Sequence, residues 1–185
     1  MRMKLNQKQV QKNNSGFSII ELLVVVAIMA VFIGGALTTF LSVSRTNVKK
    51  SNSVINDAMI FCKGKAMTNA AKEWKLVLSE HEANVVKVSS DGKVSTIKSY
   101  ALPNKIDIFV NTSEESYAGK IGDDGDYESV SIVYSSKGSI TKVYDENNNS
   151  LMDKFGNTCC IVSKYKQSKS ASIKLYFITG KHAKQ

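Results

Sequence analysis

The sequence predicts an α+β protein in which one long N-terminal helix leads into a β-rich domain. Three observations carry this: an uncharged apolar run from Leu22 to Val43, an apolar stripe at helical spacing beyond it, and a change to alternating patterning after Lys72. With 185 residues, the chain has room for one globular domain once the apolar run is set aside.

The first fourteen residues hold Arg2, Lys4, Lys8 and Lys12 and no acid, so part of the +9 net charge belongs to this leader. Without it the balance of 25 basic to 16 acidic residues falls to 21 against 16, too mild to argue for nucleic acid. The excess of lysine over arginine carries no functional weight. The 22 residues that follow Glu21 without formal charge match the roughly 20 that a helix needs to cross the hydrocarbon core. The basic flank would stay in the cytoplasm and the C-terminal part would face outward. A secretory signal has a shorter apolar stretch closed by a small-residue cleavage site, which this run lacks. Glu21 stands out, because a lone carboxylate at membrane depth costs a few kcal/mol and calls for a partner or a proton.

Past Val43 the chain turns polar yet keeps its period: Val48, Val54, Ile55, Ala58, Phe61, Cys62 and Ala66 recur at three and four residues. No proline interrupts residues 17–102, so a single helix can run from Phe17 to near Ala70, about 80 Å at 1.5 Å per residue. Its second half is amphipathic and should lie against the globular domain. Gly34 and Gly35 are its weak point, each costing about 1 kcal/mol against alanine. They serve local melting, or are simply tolerated or useful for close helix packing.

Beyond Lys72 come eight short runs rich in Val, Ile, Tyr and Ser: EWKLVLSE, ANVVKVSS, KVSTIKSYAL, KIDIFVN, SVSIVYSS, SITKVYD, TCCIVSKY and ASIKLYFIT. Asp91-Gly92, Lys137-Gly138, the Asn147–Ser150 run and Gln167–Ser170 mark turns between them. Eight strands are too many for one flat layer on a helix. Two antiparallel sheets, or one strongly twisted sheet, are expected over the amphipathic half.

The junction G-F-S-I-I-E-L-L at residues 16–23, preceded by a basic leader and followed by an apolar helix, resembles the signal of type IV prepilins and type II secretion pseudopilins. The resemblance implies cleavage between Gly16 and Phe17 by a prepilin peptidase, N-methylation of Phe17, and a role for Glu21 in pairing with a free N-terminal amine during assembly. It divides the chain into a leader at 1–16, a transmembrane and assembly half of the helix at 17–43, an amphipathic half at 44–71 and a β-rich domain at 72–185. The helix-to-strand transition, VSIVYSSKGSITKVYD and the closing IKLYFITGKHAKQ are similar to the GspH/FimT branch, which implies a minor pilin or pseudopilin. The partners implied are the peptidase, other pilin subunits, the assembly machinery and the cytoplasmic membrane. Localisation would be single-pass in that membrane and then in a cell-surface or periplasmic filament. Two other readings stand: a competence-type pilin holding DNA through its basic C-terminal end, and an anchored surface protein that keeps its leader.

Other candidate residues have bland readings beside the sharp ones. Cys62 lies on the inward stripe and Cys159-Cys160 near a strand start, where parity lets only one of the pair face the helix. A disulfide outside the cell and buried thiols acting as small apolar residues both fit. Asp145, Asn147, Asn149 and Asp153 sit at the first, third, fifth and ninth positions of a calcium-type loop. However, Ser150 replaces its glycine and Gly156 its bidentate glutamate, so a solvated turn is the alternative. Residues 122–128, GDDGDYE, raise the same question more weakly. Lys181 and Lys184 are candidate DNA contacts, yet the arginines of DNA-holding FimT-like tails and a stacking aromatic are missing, which favours a charged edge. His81 and His182 have no acid or nucleophile pattern around them, so neither an enzyme nor a cofactor is expected.

Overall fold

The structure, a computed structural model, describes residues 18–69, 71, 73–112, 118–165 and 169–184; the side chains of residues 36–42, 118 and 169 are outside this description. The chain divides into two units, Met1–Leu41 and Ser42–Gln185. Helix α1, Ile19–Thr68, belongs to the first with its apolar part and to the second with its amphipathic part. It passes through Gly34 and Gly35 unbroken, with open space where a Cβ would stand at either.

Within the second unit, ten strands among the described residues form two antiparallel five-stranded sheets. The first has the order β3-β2-β1-β6-β7, from β1 (Glu73–Leu78), β2 (Glu82–Val88), β3 (Val94–Ala101), β6 (Val130–Tyr134) and β7 (Ile140–Asp145). The second has the order β10-β9-β8-β4-β5, from β4 (Asp107–Thr112), β5 (Ala118–Ile121), β8 (Thr158–Tyr165), β9 (Lys169–Tyr176) and β10 (Lys181–Lys184). A single turn, α2 (Met152–Phe155), precedes β8. The α+β class is as expected, and of the two arrangements the patterning left open the chain adopts two sheets. All eight expected runs are strands, and β5, β10 and α2 are additional.

Alternation does the structural work. In β1 Trp74, Leu76 and Leu78 are buried while Glu73, Lys75 and Val77 are half-exposed, and in β8 Cys159, Ile161, Ser163 and Tyr165 point inward. Trp74, Leu76, Leu78, Cys159 and Ile161 join Ile55, Ala58, Met59, Cys62 and Ala66 of α1 in one core. Of the expected helical stripe, Val54 and Phe61 are only partly buried and pack at its margin. Val48 anchors a smaller cluster with Ile106 and Tyr165. The helix stops where its last groups find partners: Thr68 Oγ1 donates to the Gly64 carbonyl at 2.8 Å, and Trp74 Nε1 to the Asn69 carbonyl at 3.1 Å. The two sheets are stitched where the Ile140 N–H donates to the Phe177 carbonyl at 2.9 Å.

A polar contact lies under the helix as well. Ser51 and Ser163, both fully buried, share a hydrogen bond of 3.1 Å between α1 and β8. Removing one hydroxyl strands the other, which costs about 1–3 kcal/mol, whereas removing both costs less. Thermal unfolding should therefore show Ser163→Ala less stable than the Ser51→Ala/Ser163→Ala double variant. Equal or additive losses would contradict the pairing.

Candidate functional site

The N-terminal segment is built around Glu21. Ser18 precedes the first helical residue, its Oγ accepts from the Ile20 N–H at 3.3 Å, and the Glu21 carboxylate accepts from the Ser18 N–H at 2.9 Å. This is a capping-box arrangement: the serine before the helix takes the orphan N–H of Ile20, and the glutamate three residues on takes that of Ser18. The S-x-x-E pattern was present in the sequence and would have revealed it. Glu21 thus has a local task in this chain, with its carboxylate held on the Ser18 N–H. Gly16 and Phe17 lie outside the described residues.

The helix on both sides of Glu21 is unusual for a folded chain. Ile19 is 85% exposed, Val31 76% and Phe32 73%, with the apolar side chains between them also exposed. A continuous apolar helix surface of this kind needs lipid or other helices around it. Among the described residues no helix is long and apolar enough to cross a membrane. The span expected over 17–43 includes residue 17 and the side chains of 36–42, which lie outside the description.

Residues 11–37 match the family model described as the prokaryotic N-terminal methylation motif. No curated protein and no solved structure matches the chain. The chain therefore carries a type IV prepilin-like signal, in front of a helix-and-sheet fold consistent with that of pilins.

The other candidate residues belong to the second unit. No disulfide joins the cysteines: Cys62 and Cys159 are fully buried and Cys160 is half-buried. Strand parity sends Cys159 into the same core as Cys62, beside the buried hydroxyl of Tyr134. Burial pushes the Cys62 thiol from 9.0 up to about 12, and raises Cys159 and Tyr134 in the same direction. The folded state thus holds a proton that the unfolded chain releases sooner. The stability this provides is intact below pH 9 and is lost as pH rises from 9 towards about 12. Thermal unfolding across that window should show the decline, and Cys62→Ala should flatten it; an equally steep decline in that variant would contradict the assignment.

Asp145 turns its carboxylate back on its own turn. Oδ1 accepts from the backbone N–H of Asn147 at 3.0 Å and of Asn149 at 2.7 Å, and Oδ2 from the Asn149 amide at 2.8 Å. Burial opposes its charge, but these donors outweigh it and hold its pKa below the usual carboxylate value. Asp153 is in α2. The loop is a self-satisfied turn, and among the described residues no group of three His, Cys, Asp or Glu is placed to hold a metal. In the acidic turn at 122–128, Asp124 bonds Lys120 Nζ at 2.7 Å and Asp126 accepts the Lys120 N–H at 2.8 Å.

The basic C-terminal end is not a tail. Residues 181–184 are the edge strand β10, with Lys181 opposite Tyr176 and Lys184 opposite Ile173. Three positions apart on a strand, Lys181 and Lys184 point to opposite faces, so they do not form one phosphate-tracking pair. His182 faces inward, its pKa lowered by burial first and then by Lys63 and Lys184. His81 is exposed beside Glu80 at 3.9 Å.

Proposed function

We propose that this chain is a prepilin: a minor pilin or pseudopilin cut between Gly16 and Phe17, methylated at Phe17, and built into a filament through residues 17–43. The observation that carries this is the methylation motif at 11–37. It fits a helix whose exposed apolar surface requires neighbours. Before assembly the protein is held single-pass in the cytoplasmic membrane, with residues 44–71 and 72–185 outside; prepilin peptidase and other pilin subunits are its partners. Moving the apolar half from lipid into a helix bundle changes its hydrophobic burial little, so packing and polar contacts decide assembly. Glu21 supplies the polar contact, to a methylated amine on its own or a neighbouring chain. The strand-glycine-strand hairpin at β6–β7 and the closing Thr179-Gly180-Lys181 turn support placement in the GspH/FimT branch.

The test is filament incorporation. Surface or periplasmic filaments sheared from a host with an active peptidase should contain the chain, and those from a peptidase-null host should lack it. Presence in the membrane but never in filaments would reject the subunit role.

A further inference from the structure

A groove of about 860 Å3 opens within the second unit, between the start of the amphipathic part of α1 and the edge formed by β9 and β10. Its volume is that of a ligand cleft rather than a packing defect. Arg45, Lys49 and Lys50 line one side and Lys184 the other, and no acidic residue lines it. Lys184 Nζ spans the groove to Ser53 Oγ at 3.3 Å, while Arg45, Lys49 and Lys50 make no ion pair among the described residues. The apolar lining comes from Val48 and Ala171.

One lining side chain asks for a ligand group of its own. Asn52 is 5% exposed and donates its amide to the Ser172 carbonyl at 3.3 Å, but its Oδ1 accepts no hydrogen bond among the described residues. A buried acceptor left without a donor is costly, and its residue lines a space flanked by cations, so a small turn of the amide would present it to a ligand. The combination suits a ligand that brings an anion and a hydroxyl together.

Position selects the source. Arg45 stands two residues past Val43, the end of the uncharged run, so the cations begin within about 3 Å of that end along the helix axis. Cations on an exported flank also run against the orientation rule for membrane segments. A phosphate group next to them would neutralise that charge through charge-assisted hydrogen bonds. Base stacking is absent as an alternative, since no aromatic residue lines the groove.

We infer that this groove binds the headgroup of an anionic glycerophospholipid in the outer leaflet, its phosphate between Lys184 and the Arg45, Lys49 and Lys50 row and a headgroup hydroxyl donating to Asn52 Oδ1. The site rests on the membrane-anchored reading above. It would hold the β-domain against the membrane until the subunit is extracted into a filament, when protein replaces the lipid.

Native mass spectrometry of the full processed chain in neutral detergent tests it, with phosphatidylglycerol, phosphatidylcholine, glycerol phosphate and a short DNA duplex as separate probes. One saturable phosphatidylglycerol adduct is expected, weakened about tenfold by Lys49→Gln/Lys50→Gln and unchanged by Lys93→Gln/Lys137→Gln, which removes the same charge elsewhere. Equal retention of phosphatidylcholine, an adduct indifferent to the groove variant, glycerol phosphate held as well as the lipid, or preference for DNA would each overturn the lipid assignment. Fractionating the host separates the two readings. A chain found in the membrane that shows no lipid preference sinks the groove proposal alone, whereas a chain recovered outside the membrane sinks the anchoring on which it depends.

Discussion

Replacing Glu21 with valine should reduce the chain's entry into filaments by on the order of a hundredfold, because the methylated amine it would neutralise is then left unpaired among apolar helices. Membrane insertion should be unaffected, since valine only extends the apolar run. Valine also removes the capping box, however, and a lost cap costs about 1 kcal/mol at the start of the helix. Glu21→Gln separates the two roles, because glutamine can accept the Ser18 N–H as the carboxylate does but carries no charge. The account expects glutamine to assemble about as poorly as valine. Wild-type assembly of Glu21→Gln, measured in sheared filaments, would reduce Glu21 to a helix cap.

Gly180→Val should be the most damaging single change in the β-domain. Gly180 has φ +54°, and a Cβ built there would overlap the Gly138 carbonyl oxygen of the β6–β7 turn. Strain at positive φ and backbone displacement together cost about 3 kcal/mol or more, with a fall in Tm of roughly 10 °C. The β9–β10 turn that carries Gly180 is tethered to α1 by Lys63 Nζ, which donates to the carbonyls of Thr179 at 3.3 Å and Gly180 at 3.0 Å. A displaced turn therefore loses those bonds as well. Gly92→Ala is the control: its φ is +82° but a Cβ there meets open space, so only backbone strain of about 1–2 kcal/mol remains. Trp74, the single tryptophan and 5% exposed, reports both transitions by fluorescence. Similar losses at the two glycines would show that the Gly138 contact does not matter.

Much of this architecture is legible in local patterning, and the reasons it fails are local too. One-sided strands such as β1 and β8 show their inward face through alternation. β6 is buried at all five positions, which alternation cannot anticipate, and β3 is buried at none, so its β-branched and aromatic residues had to identify it. β5 and β10 were missed because each is four residues long and lacks a run of alternating apolar residues. The division into two sheets depends on β1 pairing with β6 and β4 with β8, contacts between residues far apart in sequence. Those pairings leave no short-range signal.

The sites divide in the same way. The methylation motif is contiguous, so residues 11–37 declare it without any structure. The choice of Cys159 over Cys160 as the core cysteine follows from strand parity only once the face of β8 is known. The basic groove was not legible, because it joins Arg45, Lys49 and Lys50 to Lys184 across most of the sequence. What the sequence offered at that end was a basic tail, and pairing of β10 with β9 turned it into an edge.

The most direct measurement is the mass of the N-terminus of the membrane-extracted protein, from hosts with and without an active prepilin peptidase. The account predicts a chain beginning with methylated Phe17 when the peptidase is present and one retaining residues 1–16 when it is absent. A chain that keeps its leader in both would contradict the account. It would leave Glu21 as the cap of an anchor helix and the β-domain as an anchored surface module.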